Sequence, residues 1–342
     1  MLIAVPKETI QAETRVALTP QHTKKLCSMG INVNIETNAG FQAGFFDEEY
    51  KQVGATICNT PLKTYKNADL IFKIWAPQKQ DLLYLSKNQT VICNTQNIKN
   101  KIQLNDFINA KINLFALNQI PRTSIAQNMD ILSSQDSLAG YRAILTGLYL
   151  SKKNSLLLIT AAGTLEAMKV LIIGLGISGL QAAAIAHRMG CIVYAFDKRT
   201  ETEEQATSVG AIFIKNITDE ILSSVSIIIT NAQITGKSAP KVLTKKQLSI
   251  LPHNCIIIDM AYANGGNINS TEIPQNVTLI QNSYFAQQIP YAASKLYSEN
   301  IFNFCQLLIK DNTLQPDFNN EIINKTTLCW QGKINFTTRS QT

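Results

Sequence analysis

Along the first third of the chain, short apolar runs alternate with polar stretches that suit helices. The pattern predicts strands at Leu2–Val5, Asn32–Ile35, Asp69–Ile74, Thr90–Cys93 and Ile112–Leu117. Helices are predicted between them at Pro20–Met29, Asp47–Val53, Gln78–Leu85 and Lys101–Ile108. Thr19 is placed to cap the first of these helices, and Pro20 sits in its first turn, where a missing N–H costs nothing. A second series begins near Met168, with strands at Lys169–Ile173, Cys191–Phe196, Ala211–Ile214, Ser226–Thr230, Cys255–Met260 and Val277–Gln281. Strands that alternate with helices build a parallel sheet covered by helices, so the chain is expected to hold two α/β units.

Between the two series, Pro121 to Leu150 reads differently: a polar, small-residue stretch from Ser124, then a helix at Leu138–Leu150. After Gln281 a further helix is expected at Ala292–Leu308, followed by a tail with hairpin-like alternation around Gln331-Gly332. By analogy with two-domain dehydrogenases, that helix should cross back so that the C-terminus packs on the first domain. The expected organisation is therefore residues 1–135 completed by 290–342, and residues 136–289 as a second domain.

Composition narrows the functional classes. Hydrophobic residues make up 45% and charged residues 16% of 342, which excludes general disorder. A net charge of +7 is spread thinly, with no basic-aromatic interleaving, so no nucleic-acid partner is expected. The seven cysteines are odd in number, scattered, and form no CxxC pair, which points to a reducing, cytoplasmic setting. His22, His187 and His253 lie far from one another and from any cysteine in sequence, so no metal site is expected. The N-terminus meets Lys7 and Glu8 too soon to be a signal peptide. Val170 to Ala186 is uncharged and apolar enough to resemble a short membrane span, but Gly174, Gly176 and Gly179 interrupt it and its period changes midway. A strand, a turn and a helix explain it better, and no direct membrane insertion is expected.

That same segment carries the clearest chemistry. Gly174, Gly176 and Gly179 form G-x-G-x-x-G directly after a strand and at the start of an alanine-rich helix. In this context the first glycine permits a tight turn, the second lets backbone approach a pyrophosphate, and the third lets helix and strand pack closely. Ile177 and Ser178 would add backbone N–H groups at the positive end of the helix. Asp197 follows the third glycine by 18 residues, at the end of the next strand. There it can accept from both adenosine ribose hydroxyls and repel a 2′-phosphate, which favours NAD(H) over NADP(H). Lys198 and Arg199 follow at once; they read as solvated surface charge that could partly neutralise Asp197. The expected fold class is thus α/β, two Rossmann-like domains with parallel sheets and a cofactor cleft between them.

A second cluster lies at Arg122, Gln127, Asp130 and Ser133, followed by Ser134, Gln135, Asp136, Gly140, Tyr141 and Arg142. A guanidinium, an amide, a carboxylate and hydroxyls gathered this closely can orient a polar ring and its carboxamide. A capped helix entry with solvated side chains is the competing reading of the same residues.

Taken together, these residues resemble the NAD(H)-binding component of proton-translocating nicotinamide nucleotide transhydrogenase, a family similar to alanine dehydrogenase. The matching pieces are Val5-Pro6-Lys7-Glu8, Thr14-Arg15-Val16-Ala17, Thr19-Pro20, Lys73 before Ala76-Pro77, and the whole of Pro121 to Ala143. They continue through Thr160-Ala161-Ala162-Gly163, the glycine fingerprint, Thr235-Gly236-Lys237 with Ala239-Pro240, and Asp259-Met260-Ala261 with Gly265-Gly266-Asn267. The resemblance implies an NAD(H) carrier that works as a homodimer. It would dock on separate NADP(H)-binding and transmembrane components, peripheral at the inner face of the cell membrane, and pass hydride directly between two nicotinamide rings. Arg122 and Asp130 would hold the carboxamide and ribose side, Ser133 the carboxamide, and Gln127 would reach toward the partner's nucleotide, while Lys198, Arg199, Gly236 and Lys237 join the cofactor-binding set.

Several positions depart from the family pattern. Only Lys215 to Val225 stand where the family carries a longer insertion with a mobile loop that closes over the cofactor. Tyr284 to Gln288 lacks the family's proline and arginine, and Leu165-Glu166-Ala167 replaces two prolines after Gly163, which should alter a hinge at Thr160–Gly163. An alanine dehydrogenase-like activity would use Arg15 and Lys73 to hold a carboxylate. However, Asn94 and Ala263 stand where its histidine and aspartate are expected, and Arg15 and Lys73 read better as interdomain polar contacts. A non-catalytic NAD-binding remnant is the third reading.

Overall fold

A computed structural model describes residues 1–98, 101–234, 237–269 and 272–335. The chain divides into two compact units, Met1–Gln135 with Ile289–Thr342, and Asp136–Gln288.

The first unit opens with β1 (Leu2–Val5), α1 (Pro20–Ser28), β2 (Asn32–Glu36), α2 (Asp47–Gln52), β3 (Thr56–Cys58), α3 (Pro61–Tyr65), β4 (Leu70–Trp75), β5 (Thr90–Asn94), α4 (Lys101–Asn109) and β6 (Asn113–Ala116). These strands lie in the order β3-β2-β1-β4-β5-β6, and every neighbouring pair is parallel. β4 and β5 are buried along their whole lengths, as strands with helices on both faces must be. The short β3 and α3 escape the sequence pattern because neither is long enough to show a period. The helix expected at Gln78–Leu85 is only a 3-10 turn at Asp81–Leu83. There the Asp81 carboxylate accepts from the Gln78 N–H and from Thr9 Oγ1 and faces Lys73, and these tertiary bonds replace a helix.

Helix α5 (Ile131–Ser151) begins seven positions before the expected Leu138. The second unit continues with the antiparallel hairpin β7 (Leu158–Thr160) and β8 (Gly163–Leu165), then β9 (Lys169–Ile173), α6 (Ile177–Arg188), β10 (Ile192–Phe196), α7 (Glu203–Ser208), β11 (Ile212–Phe213), α8 (Asp219–Ser224) and β12 (Ile227–Thr230). It ends with β13 (Leu243–Thr244), α9 (Lys245–Ile250), β14 (Cys255–Asp259), β15 (Ile268–Asn269) and β16 (Val277–Gln281). Its main sheet is parallel with order β11-β10-β9-β12-β14-β16, while β13 and β15 pair separately. Both units therefore share the doubly wound order in which the strand sequence reverses beside the first strand, and ligands of such sheets bind at that switch point. The expected hinge at Thr160–Gly163 is instead the tip of the β7–β8 hairpin, inside the second unit. Thr160 Oγ1 accepts from Ala162 N–H and donates to Gly163 O, which closes the turn.

The chain then returns to the first unit through α10 (Pro290–Gln306), which is the helix expected at Ala292–Leu308. The β17 (Ile309–Lys310) and β18 (Thr313–Leu314) hairpin, α11 (Glu321–Thr326), β19 (Thr327–Trp330) and β20 (Lys333–Ile334) follow. β19 adds antiparallel to β6, and β20 pairs with β19 around Gln331-Gly332 as an edge hairpin. Tyr297, Ile301 and Phe304 of α10 join Ile3, Phe72 and Phe115 in the first unit's core.

Candidate functional site

In the second unit the switch point lies between β9 and β12, where β9 runs into the glycine turn. Gly174 has φ +96°, and a Cβ there would stand 2.7 Å from Ala232 N. At Gly179 a Cβ would stand on the carbonyl oxygen of Gly174. Protein packing therefore demands both glycines. Gly176 differs: its φ of −77° is open to any residue, and an added Cβ would meet nothing within 4 Å. The chain's own packing gives no reason for glycine there, whereas a group approaching the backbone from outside does. Gly176 caps α6, so the N–H groups of Ile177, Ser178 and Gly179 form its first turn, which lacks intrahelical acceptors. Ile177 is exposed, and Ser178 is buried.

Asp197 ends β10 beside this turn. Its Oδ2 accepts from Leu175 N–H at 2.7 Å, tying it to the glycine loop. Burial disfavours its charge, but hydrogen bonds from Arg199 and Leu175 outweigh that and hold its carboxyl below the ordinary carboxylate range. Arg199 is not free surface charge as expected: it forms a two-pronged ion pair with Asp197. Lys198 is exposed, and so is Lys237; Gly236 lies outside the described residues.

The loops after β12 and β14 complete this end of the sheet. Asn267 is fully buried, accepts from Ala232 N–H, and donates to the carbonyls of Ala232 and Pro240. Asp259 in turn accepts from the N–H groups of Ala261 and Asn267. Burial pushes its carboxyl above its usual value while these donors pull the other way. Gly266 at φ +73° leaves room for that carboxylate, which a Cβ would approach to 2.6 Å. Asp259 and Asn267 were visible as part of a motif, but their clamp on the strand ends depends on contacts remote in sequence.

The other cluster belongs to the first unit, except for residues beyond Gln135. Asp130 precedes α5 and caps it: Oδ1 accepts from Ser133 N–H at 3.0 Å, and Oδ2 from the Ser133 hydroxyl. The capped helix entry and the close grouping of a carboxylate and a hydroxyl are thus the same feature. Arg122 and Gln127 are exposed, on either side of the start of the 3-10 turn Ser124–Met129; the Gln127 carbonyl accepts from Asp130 N–H at 3.3 Å, a backbone contact that leaves both side chains apart from the Asp130 carboxylate's bonds to Ser133. Gln135 accepts from Arg15 Nη1, and Ser134 donates to Asn300.

Where the second unit has an open glycine turn between its central strands, the first fills the same topological position with charge. Glu8 follows β1, and its carboxylate lies 3.6 Å from Lys73 Nζ; Asp81 lies 3.8 Å away. Burial disfavours the Lys73 charge, but Glu8, Tyr65 and Asp81 together hold it above its ordinary value. Arg15 is clasped by Glu13 through Nε and Nη2, and Glu13 also accepts from the Trp75 indole. The expectation of interdomain contacts for Arg15 and Lys73 is therefore corrected: both pair inside the first unit. Asn94 is buried and donates to Gln96, and Ala263 N–H donates to Ser283, so neither position offers a proton-transferring side chain. Among the described residues there is no cluster fit to hold a metal ion. No described helix is long and apolar enough to cross a membrane.

The N-terminal domain model of alanine dehydrogenase/PNT matches residues 4–139, and the corresponding C-terminal domain model matches residues 143–337. The chain belongs to the alanine dehydrogenase/PNT family. It is 34% identical to the first part of NAD(P) transhydrogenase subunit alpha of Rickettsia prowazekii, covering 98% of this chain and 96% of that protein. Against the same polypeptide of Rhodospirillum rubrum it is 32% identical, covering 98% and 97%. A crystal structure of transhydrogenase from Sinorhizobium meliloti superposes with a TM-score of 0.90 at 32% identity, covering 98% of both chains. An L-alanine dehydrogenase structure shares the fold at TM-score 0.84 and 20% identity.

Proposed function

We propose that this family member is the NAD(H)-binding component of a transhydrogenase, passing hydride directly to or from NADP(H) held on a partner component. The observation that carries the reading is the second unit's glycine turn, where nothing in the chain's own packing calls for a glycine at position 176, next to Leu175, whose N–H anchors the carboxylate of Asp197. The dinucleotide supplies the hydride chemistry when bound, so the protein's task is binding and orientation. Gly174 to Gly179 would receive the pyrophosphate, and Asp197 the adenosine ribose; Lys198 and Lys237 would add positive charge for the same ligand.

Arg122, Gln127, Asp130 and Ser133 would place the nicotinamide. Asp130 takes the Ser133 hydroxyl hydrogen, so Ser133 Oγ would meet a carboxamide N–H as an acceptor. Arg122 has donors for the carboxamide oxygen, and Gln127 would face the partner's nucleotide. Hydride transfer needs ring carbons held at ~3–3.5 Å, so fixed hydrogen bonds matter more here than a proton acceptor.

Leu156, Leu157, Leu158, Ile159 and Leu165 are exposed on and beside the β7–β8 hairpin. So much apolar surface on one short element supports a homodimer in which a second copy covers it. The complex would sit at the cytoplasmic face of the membrane, with this chain peripheral to transmembrane subunits.

One observation favours the second reading, a cofactor-binding remnant without transfer activity. The Rickettsia alignment spans 369 positions against a chain of 342 residues, so the relative carries at least 27 residues that this chain lacks. The short connection Lys215 to Val225, which holds only α8, is where we place that loss. Titration of NADH together with a hydride-transfer assay using an NADP(H)-binding component separates the readings. Binding with transfer is the expected result; binding without transfer supports the remnant, and no binding refutes both.

A further inference from the structure

The carboxylate of Asp197 is fully engaged by the protein's own donors. Oδ1 accepts from the backbone N–H of Arg199 at 2.9 Å and from Arg199 Nε at 3.0 Å. Oδ2 accepts from the N–H of Leu175 at 2.7 Å and from Arg199 Nη2 at 3.0 Å. An ionised carboxylate offers about four lone-pair positions, two on each oxygen, so none is left over. The two backbone donors belong to the fold. The other two are the parallel N–H groups of one guanidinium fork, one on each oxygen. A vicinal diol presents its two hydroxyl hydrogens in the same arrangement.

We propose that Arg199 is the specificity-determining residue of this pocket, a latch that takes the place of the ribose diol on Asp197. It has to swing away for a diol to bind, and once away it is a partner for a 2′-phosphate. The proposal rests on the NAD(H)-binding reading and adds to it the residue that sets the ratio between the two dinucleotides. The movement is local: the Arg199 side chain is 56% exposed while that of Asp197 is 10% exposed, so only the outer partner moves. Beyond Asp197 the guanidinium donates to the carbonyl of Leu175 at a long 3.5 Å, and the Glu201 carboxylate acts on it through charge. Lys198 is the neighbouring exposed cation, so a 2′-phosphate would meet positive charge once Arg199 turned outward.

Arg199→Ala removes both actions. Because a solvent-exposed ion pair is weak, the latch should withhold about two- to five-fold in affinity for a diol ligand rather than orders of magnitude. The full chain is titrated with NADH and NADPH, and with adenosine 5′-monophosphate and adenosine 2′,5′-bisphosphate, which isolate the ribose end. The expected result for R199A is tighter binding of NADH and the monophosphate, and weaker binding of NADPH and the bisphosphate. Arg199→Lys, which keeps the charge without the fork, should gain affinity for NADH yet retain the affinity for NADPH; it also serves if R199A folds poorly. Loss of NADH affinity in R199A would make Arg199 an ordinary ligand contact and overturn the latch. Unchanged affinity for all four ligands would overturn it as well. If the wild-type chain binds neither NADH nor the monophosphate, the cofactor reading fails and the latch with it.

Discussion

Replacing Gly140 with alanine sets two opposed effects against each other. Gly140 lies midway along α5, where exchanging glycine for alanine ordinarily gains about 1 kcal/mol of helix propensity. Here the new Cβ would stand 2.0 Å from the carbonyl oxygen of Ser178 and 2.8 Å from its carbonyl carbon. Ordinary contact needs at least 3.4 Å, and the obstacle is backbone in the first turn of α6, which cannot rotate aside as a side chain could. Overpacking of this kind costs roughly 1–3 kcal/mol, at times more. With a backbone obstacle at the upper end of that range, the clash exceeds the gain by about 2 kcal/mol, or roughly 4–8 °C in the melting temperature of a unit this size. Ser178 is among the residues proposed to receive the pyrophosphate, so NADH affinity should fall along with stability. Gly147→Ala is the control: its Cβ would meet Ile227 Cγ2 at 3.1 Å and the Cδ1 atoms of Ile227 and Ile258 at 3.3 Å, all side-chain methyls able to yield. Thermal denaturation and NADH titration of both variants provide the test. A G140A protein as stable as the parent, or more so, would refute the claim that α5 and α6 touch backbone to side-chain position here.

Three other outcomes are expected. Arg122→Ala and Asp130→Asn should lower the rate of hydride transfer far more than NADH affinity, measured by stopped-flow alongside equilibrium binding; asparagine caps helices nearly as well as aspartate, so any stability loss in D130N should be small. Burial holds His22 below its ordinary value of 6.5 despite Glu299 beside it, so as pH falls below about 6.5 the unfolded chain takes up a proton that the folded one resists, and stability drops. His22→Gln should flatten that part of the stability profile, and an unchanged slope would place its origin elsewhere. Grafting a longer loop of the transhydrogenase type between Ile214 and Ser226 should slow NADH dissociation; a folded graft with an unchanged rate would show that the short connection is not what leaves the cofactor uncovered.

The sheets were readable because β-strands such as Leu70–Trp75 and Lys169–Ile173 are apolar blocks bounded by polar residues, and the glycine turn was readable because strand, turn and helix are consecutive. The start of α5 was not. Ser133, Ser134, Gln135 and Asp136 carry no apolar stripe, and what keeps Ser134 and Gln135 helical and half-buried are bonds to Asn300, Ala293 and Arg15, all distant in sequence. An Asp-x-x-Ser spacing that reads as a ligand cluster is also an N-cap spacing, and only the backbone shows that it is one. The Arg199 fork was hidden for a related reason: a residue two positions from a carboxylate reaches it only if the chain turns back, and charge alone reads as solvated. Glu8, Lys73 and Asp81 converge from three separate segments, which no local pattern reveals.

The antiparallel strand Thr327–Trp330, lying on β6, also bears on how the chain folds as it is made. The second unit is one continuous stretch, so all its strands are in hand once Gln288 has been synthesised. The first unit is not: its sheet keeps an open edge at β6, and its core lacks Tyr297, Ile301 and Phe304, until the closing segment arrives. During that interval an unpaired parallel edge and an unfilled apolar surface stand exposed. The segment made after Gln288 is therefore what shields the sheet of residues 2–116 from pairing with neighbouring chains.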